Sequence, residues 1–265
     1  MKNRMAKLIL AFFLITAFAG ACFGEFSAFL FPKDETVVFE NYSGTGNPAM
    51  VTNTYYRSGS NYIIKITEAN GNVAKITVNK NFAPLSYKKV NKNGAILEFA
   101  AYSKDKLNIS IPARNIKKTV KLPSTYYDPY TLYYIFRKFP YAKKDNIYMN
   151  IAYHDPGNIR VVKMYVKNKG VETVKIKAGK FTCYKLEMGT VNPLDVAVWP
   201  YKYYFWFTTD SNHHFVKFQG RDRDSSILNS ELATYKIGSK YVVKRSSLNN
   251  TGFQSDIIEQ TRSGL

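Results

Sequence analysis

The chain of 265 residues carries a formal charge of +19, is 45 % apolar and 15 % aromatic, and contains 21 Tyr and 18 Phe. That length supports one large β domain or two small ones without cross-links. Its two cysteines exclude a disulfide-dense scaffold. Beyond residue 25 no stretch approaches the ~20 consecutive apolar residues of a membrane-spanning helix.

The first 22 residues have the order of a secretory signal peptide. Lys2, Arg4 and Lys7 form a basic region, Leu8 to Phe18 is apolar except for Thr16, and Ala19-Gly20-Ala21-Cys22 follows. The apolar run is too short to span a bilayer. We expect a signal peptide over 1–21, a single β-rich domain over 25–245 and a polar, flexible tail over 246–265. Loss of the leader leaves a charge of +16. For an exported protein such an excess points away from nucleic acid, and toward anionic lipid headgroups, lipopolysaccharide or acidic envelope polymers. A lysine-rich solvated surface is the plainer alternative.

Ala19-Gly20-Ala21-Cys22 resembles the lipobox of bacterial lipoproteins, in which the cysteine is lipidated. Cys22 is then the lipidation site, and the chain sits on a membrane surface through an N-terminal anchor. Ala19 stands where that family prefers Leu, and Ala19-x-Ala21 also suits the ordinary signal peptidase. These routes and a cleavage after Gly24 are open, and all place the chain in the periplasm, the first anchored to the outer membrane.

The following segments alternate apolar and polar residues between turn residues, the pattern of an all-β protein. Tyr62, Ile64 and Ile66 precede Asn70-Gly71, and Ala74, Ile76 and Val78 follow. A three-residue loop, Ala69-Asn70-Gly71, pairs Ile66 with Ala74, Ile64 with Ile76 and Tyr62 with Val78, and places Gly71 in the left-handed region. Asn91–Gly94 turns Tyr87–Val90 into Ile96–Phe99, and Leu107, Ile109 and Ile111 alternate up to Pro112. A short helix is expected over 129–139. Asp128 caps it, Pro129 opens it, Leu132, Ile135, Phe136 and Phe139 form one apolar stripe, and Pro140 ends it. Arg137 and Lys138 fall in its last turn, where cations suit the dipole. Met164 and Val166 lead to a turn signal at Asn168-Lys169-Gly170, then Val171–Ile176. Ala178-Gly179-Lys180 turns into Phe181–Met188, where Cys183 reads as a small buried residue. Tyr201–Phe207, apolar on both faces, reads as a central strand, and His214–Phe218, Leu232–Ile237 and Lys240–Val243 complete the set.

The order of these features resembles a bacterial envelope family, domain of unknown function 3108. The resemblance rests on Phe82-Ala83-Pro84-Leu85-Ser86-Tyr87, the Asp128 helix with Arg137, Val171-x-x-Val174-x-Ile176-x-Ala178-Gly179-x-Phe181-x-Cys183-Tyr184-x-Leu186, and Tyr204-Phe205-Trp206-Phe207-Thr208-x-Asp210. It implies an exported β-rich domain akin to the curved half-barrels of lipoprotein carriers, and no catalytic residues.

The fold expected is all-β, with antiparallel, strongly curved sheet forming a half-barrel or barrel-like domain and the short helix packed across it. Tyr203, Phe205, Phe207 and Phe136 are candidates to line an apolar groove in the curved sheet, and Arg221 and Arg223 are candidate anion contacts. His154, ahead of Asp155-Pro156-Gly157, reads as part of an exposed turn. The adjacent His213 and His214 point to opposite faces of a strand and cannot share one metal. We expect no metal, no cofactor and no enzymatic activity. The leading function is binding of a lipid, glycolipid or anionic envelope polymer. The alternatives are an assembly factor that holds a partner protein by a sheet edge and a hydrolase that uses His154 or His214.

Overall fold

The computed structural model describes residues 34–43, 47–142, 146–155, 158–192, 201–221 and 227–244. The leader, Cys22, Arg223 and the 246–265 tail lie outside them.

Short alternating segments form antiparallel hairpins in chain order. They are β1 (Glu35–Ser43), β2 (Ala49–Ser58), β3 (Asn61–Thr67), β4 (Val73–Val78), β5 (Pro84–Val90), β6 (Ile96–Tyr102), β7 (Lys106–Ile111) and β8 (Ile116–Lys121). After the helical segment come β9 (Ile147–Asp155), β10 (Asn158–Ile176), β11 (Gly179–Thr190), β12 (Tyr203–Thr208), β13 (Phe215–Arg221), β14 (Ile227–Ile237) and β15 (Lys240–Lys244). All belong to one curved, unclosed sheet in the order β8-β7-β6-β5-β4-β3-β2-β1-β14-β13-β12-β11-β10-β9, with β15 added to β14. Pairing of β1 with β14, from Glu35↔Ile237 to Ser43↔Leu228, joins the two meanders. The sheet ends approach each other. Lys118 Nζ donates to the Ile159 carbonyl at 3.2 Å, and Tyr127 bridges to Ile151 at the free edge of β9.

The β3–β4 hairpin has the expected register, with Ile66↔Ala74, Ile64↔Ile76 and Tyr62↔Val78. Gly71 sits at φ +83° and donates to the Glu68 carbonyl at 2.9 Å. The expected turn at residues 168–170 is instead a bulge inside the 19-residue strand β10. Gly170, at φ +101°, donates to Asn168 Oδ1, and the Asn168 amide donates to the Tyr141 carbonyl. Turn residues here bend a strand, because β11 continues to pair on both sides of them. Beyond the bulge the β10–β11 arm crosses the outside of the sheet. Trp206 Nε1 donates to Glu172 at 2.6 Å, and Lys177, near the arm's tip, reaches Glu40 on β1 at 3.1 Å. Cys183 in this arm is fully buried, as expected.

The helix forms where Asp128 caps it, accepting the Tyr130 N–H at 2.8 Å. It is a 3-10 turn (Pro129–Thr131), one α-turn α1 (Leu132–Ile135) and a second 3-10 turn (Phe136–Lys138). Its whole apolar stripe, Leu132, Ile135, Phe136 and Phe139, is buried. This plug fills the concave side of the sheet.

Candidate functional site

The plug is held at both ends by buried charge. At its start, Asp128 is fully buried and uses both carboxylate oxygens. One caps the plug, and the other accepts from the Tyr102 hydroxyl at 2.6 Å and from His154 Nε2 at 2.9 Å. His154 Nδ1 is hydrogen-bonded to Glu98 on β6. Burial opposes a charge on this imidazole, but Asp128 and then Glu98 outweigh it and hold the pKa up to about 10. The ring is therefore an imidazolium at neutral pH, with each N–H donated to a carboxylate. Tyr87 packs 4.4 Å from it, centroid to centroid. The expectation of an exposed turn at His154 is corrected. The residue is 1 % exposed, because β9 brings it under the plug before the Pro156-Gly157 connection begins.

At the plug's other end Arg137 stands in the last turn, as expected, and is also buried. Its Nη1 donates to both Glu35 oxygens, at 2.9 and 2.7 Å, and its Nε to the Asn212 carbonyl at 3.0 Å. Tyr235 on β14 donates to Glu35 Oε2 at 2.8 Å. Inward alternation puts Glu35 with Val37 and Phe39, so it enters the interior opposite the plug. Glu98 enters likewise, with Ala100 and Tyr102. An acid on an apolar strand face was the available signal for both; its buried partner was not visible in sequence.

Tyr203, Phe205, Phe207 and Phe136 do come together, and all are buried. Phe136 lies edge-on to Phe205 at 5.0 Å and to Phe207 at 6.4 Å, and Tyr203 stacks on Phe218 at 6.1 Å. On the other side Tyr134 stacks on Tyr55 at 5.2 Å. These rings fill the space between plug and sheet with one another. Arg221 lies 5.1 Å over the Tyr201 ring. His213 donates from Nδ1 to the Thr208 carbonyl, and His214 Nε2 lies 3.4 Å from Asp210. His154 and His214 thus serve separate contacts. Among the described residues no group of three His, Cys, Asp or Glu could hold a metal ion.

The model of a family described as "Protein of unknown function (DUF3108)" matches residues 39–232. A search of curated proteins gives no match. Among solved structures, the chain is similar to a beta-barrel-like protein of domain of unknown function DUF1849 from Brucella abortus. The identity is 11 % and the TM-score 0.55, over 80 % of this chain and 100 % of that one. It is also aligned with the hypothetical lipoprotein YmcC of Escherichia coli at 11 % identity and a TM-score of 0.38, over 84 % of this chain and 93 % of that one. The first likeness supports the barrel-like fold.

Proposed function

The chain belongs to the DUF3108 family of proteins of unknown function, and from that footing we propose that it is an exported, non-enzymatic binding protein of the cell envelope whose partner is anionic. The observation that carries this reading is the plug, packed by aromatic rings and fixed by Asp128–His154–Glu98 at one end and Arg137–Glu35 at the other. A histidine that donates from both nitrogens to buried carboxylates has no lone pair for proton abstraction. Burial pushes the Cys183 thiol up to about 12, far from a nucleophilic thiolate. With the concave side occupied, partner binding falls to the outside, where a +16 mature charge favours anions. A basic leader followed by a lipobox-like Cys22 supports export, with the membrane anchor as its second step.

The test is gentle purification of the full chain from its own envelope. We expect fractionation with the envelope and co-purification of an acidic component that salt releases. An acyl lipid that survives salt and leaves only in detergent would instead indicate carriage inside the sheet. Recovery in the cytosol would overturn the envelope reading.

A further inference from the structure

Strand register lines up lysines across the outside of the N-terminal meander. Lys65 on β3 lies directly opposite Lys75 on β4, and Lys75 directly opposite Lys88 on β5. The same row continues through Phe99 on β6 and Ser110 on β7 to Lys117 on β8. All four lysines are exposed, and so is Phe99, at 38 %. Two rows further along, Lys106 faces Lys121, also both exposed. Adjacent strands are about 4.8 Å apart, and like charges directly opposite destabilise a sheet.

Among the described residues no carboxylate pairs with the lysines of this row. Between residues 61 and 121 the acids are Glu68, Glu98 and Asp105. Glu68 pairs with Lys89, Glu98 is buried against His154, and Asp105 lies in the β6–β7 turn. The C-terminal meander is built differently. There Lys185 meets Glu172 at 3.5 Å, Lys202 meets Glu187 at 3.3 Å, and Lys217 meets Glu231 at 3.1 Å. The C-terminal meander thus sets three of its lysines against acids, although Lys175 faces Lys180 across the β10–β11 hairpin, whereas the N-terminal row opposes three lysines in succession on adjacent strands.

We infer that the row Lys65–Lys75–Lys88–Phe99–Lys117 is a binding track for an extended acidic polysaccharide. Carboxylates or sulfates along the chain meet the lysines, and Phe99 offers its ring to a sugar face. The inference rests on the proposed anionic partner and names its class and place. The row runs across the strands and so around the curved outside of the sheet. A flexible chain can follow that line, whereas a planar bilayer touches a convex face only over a short arc. A single exposed aromatic in the row is also fewer than the stacking platforms that hold single-stranded nucleic acid.

The test uses the purified full chain on immobilised polygalacturonate, with neutral dextran, duplex DNA and phosphatidylcholine–phosphatidylglycerol vesicles in parallel. We expect retention on polygalacturonate, release by salt and none on dextran. In the triple variant Lys65→Gln, Lys75→Gln, Lys88→Gln, loss of three exposed contacts at about 2- to 5-fold each predicts roughly tenfold or greater weakening. The equally charged control Lys185→Gln, Lys202→Gln, Lys217→Gln should bind close to wild type. Relief of opposed charges should leave the first triple melting at or above wild type without ligand, and Lys75→Gln alone should weaken binding about 2- to 5-fold and likewise melt at or above wild type. Equal weakening in both triples, or a lower melting temperature in the first, overturns the track while the anionic partner stands. Preference for DNA or vesicles overturns the polysaccharide. Absence of binding to every anion overturns both readings.

Discussion

His154 is the residue whose surroundings most change its chemistry. A histidine raised to about 10 in the folded state, against about 6.5 in an open chain, contributes stability that is complete below pH ~6.5 and is lost as pH rises through ~10. The urea midpoint of the protein should therefore fall between pH 6.5 and 10. In His154→Gln, which cannot carry the charge, that part of the slope should vanish; an unchanged slope would show that the imidazole is not the titrating group. Arg137 and Glu35 allow a cleaner energetic question. Removing one partner of a buried pair costs about 3–5 kcal/mol, whereas removing both costs much less. Arg137→Met should destabilise by that amount, and Arg137→Met with Glu35→Gln by clearly less than the sum of the singles, read from denaturant midpoints. Additive losses would mean the two side chains do not depend on each other. Both clusters were hidden in the sequence for one reason. Alternation tells which way Glu35 and Glu98 point, but not which residue waits there.

At the scale of elements, local chemistry carried most of the information. The β3–β4 hairpin was legible because apolar alternation admits one register and Gly71 alone meets its backbone demand. Gly71→Ala should cost roughly 1 kcal/mol, since a Cβ there also approaches Lys92 Cβ at 3.2 Å. Thermal melting checks this, and an unchanged midpoint would remove the left-handed constraint. The plug was legible from its cap, stripe and closing proline. Its one-turn α-core was not, because the helical segment is shaped by anchors at both ends more than by its own propensity. Phe136, fully buried between Phe205 and Phe207, should cost about 3–5 kcal/mol on truncation to Ala. The bulge at Asn168–Gly170 shows where local reading stops. The same residues would serve a turn, and only the continued pairing with β11 makes them a bend.

At the scale of the molecule the decisive contact is the least local. β1 and β14 make one sheet of two meanders, and their side chains join residues 200 apart in sequence, as Tyr235 does with Glu35. No periodicity encodes that pairing, which is why the all-β class was foreseeable from alternation, and the curvature from the family resemblance, while strand order was not. The lysine row is hidden for a different reason: Lys65 opposite Lys75 follows from the legible β3–β4 register, but the full row falls together only after five register choices. The plug then ties both meanders. Asp128 reaches β6 and β9, Arg137 reaches β1, and Phe136 packs on β12. Neither meander keeps its inner face covered if the other leaves, so neither should persist alone. Urea unfolding should give coincident transitions in far-ultraviolet and near-ultraviolet circular dichroism. The Arg137→Met midpoint should shift in both signals together, since Arg137 ties the plug to Glu35 on β1 and to the Asn212 carbonyl. If instead the near-ultraviolet signal, to which Tyr130, Tyr133 and Tyr134 of the plug contribute, is lost first while strand content remains, the plug is a separable part and the concave side can open.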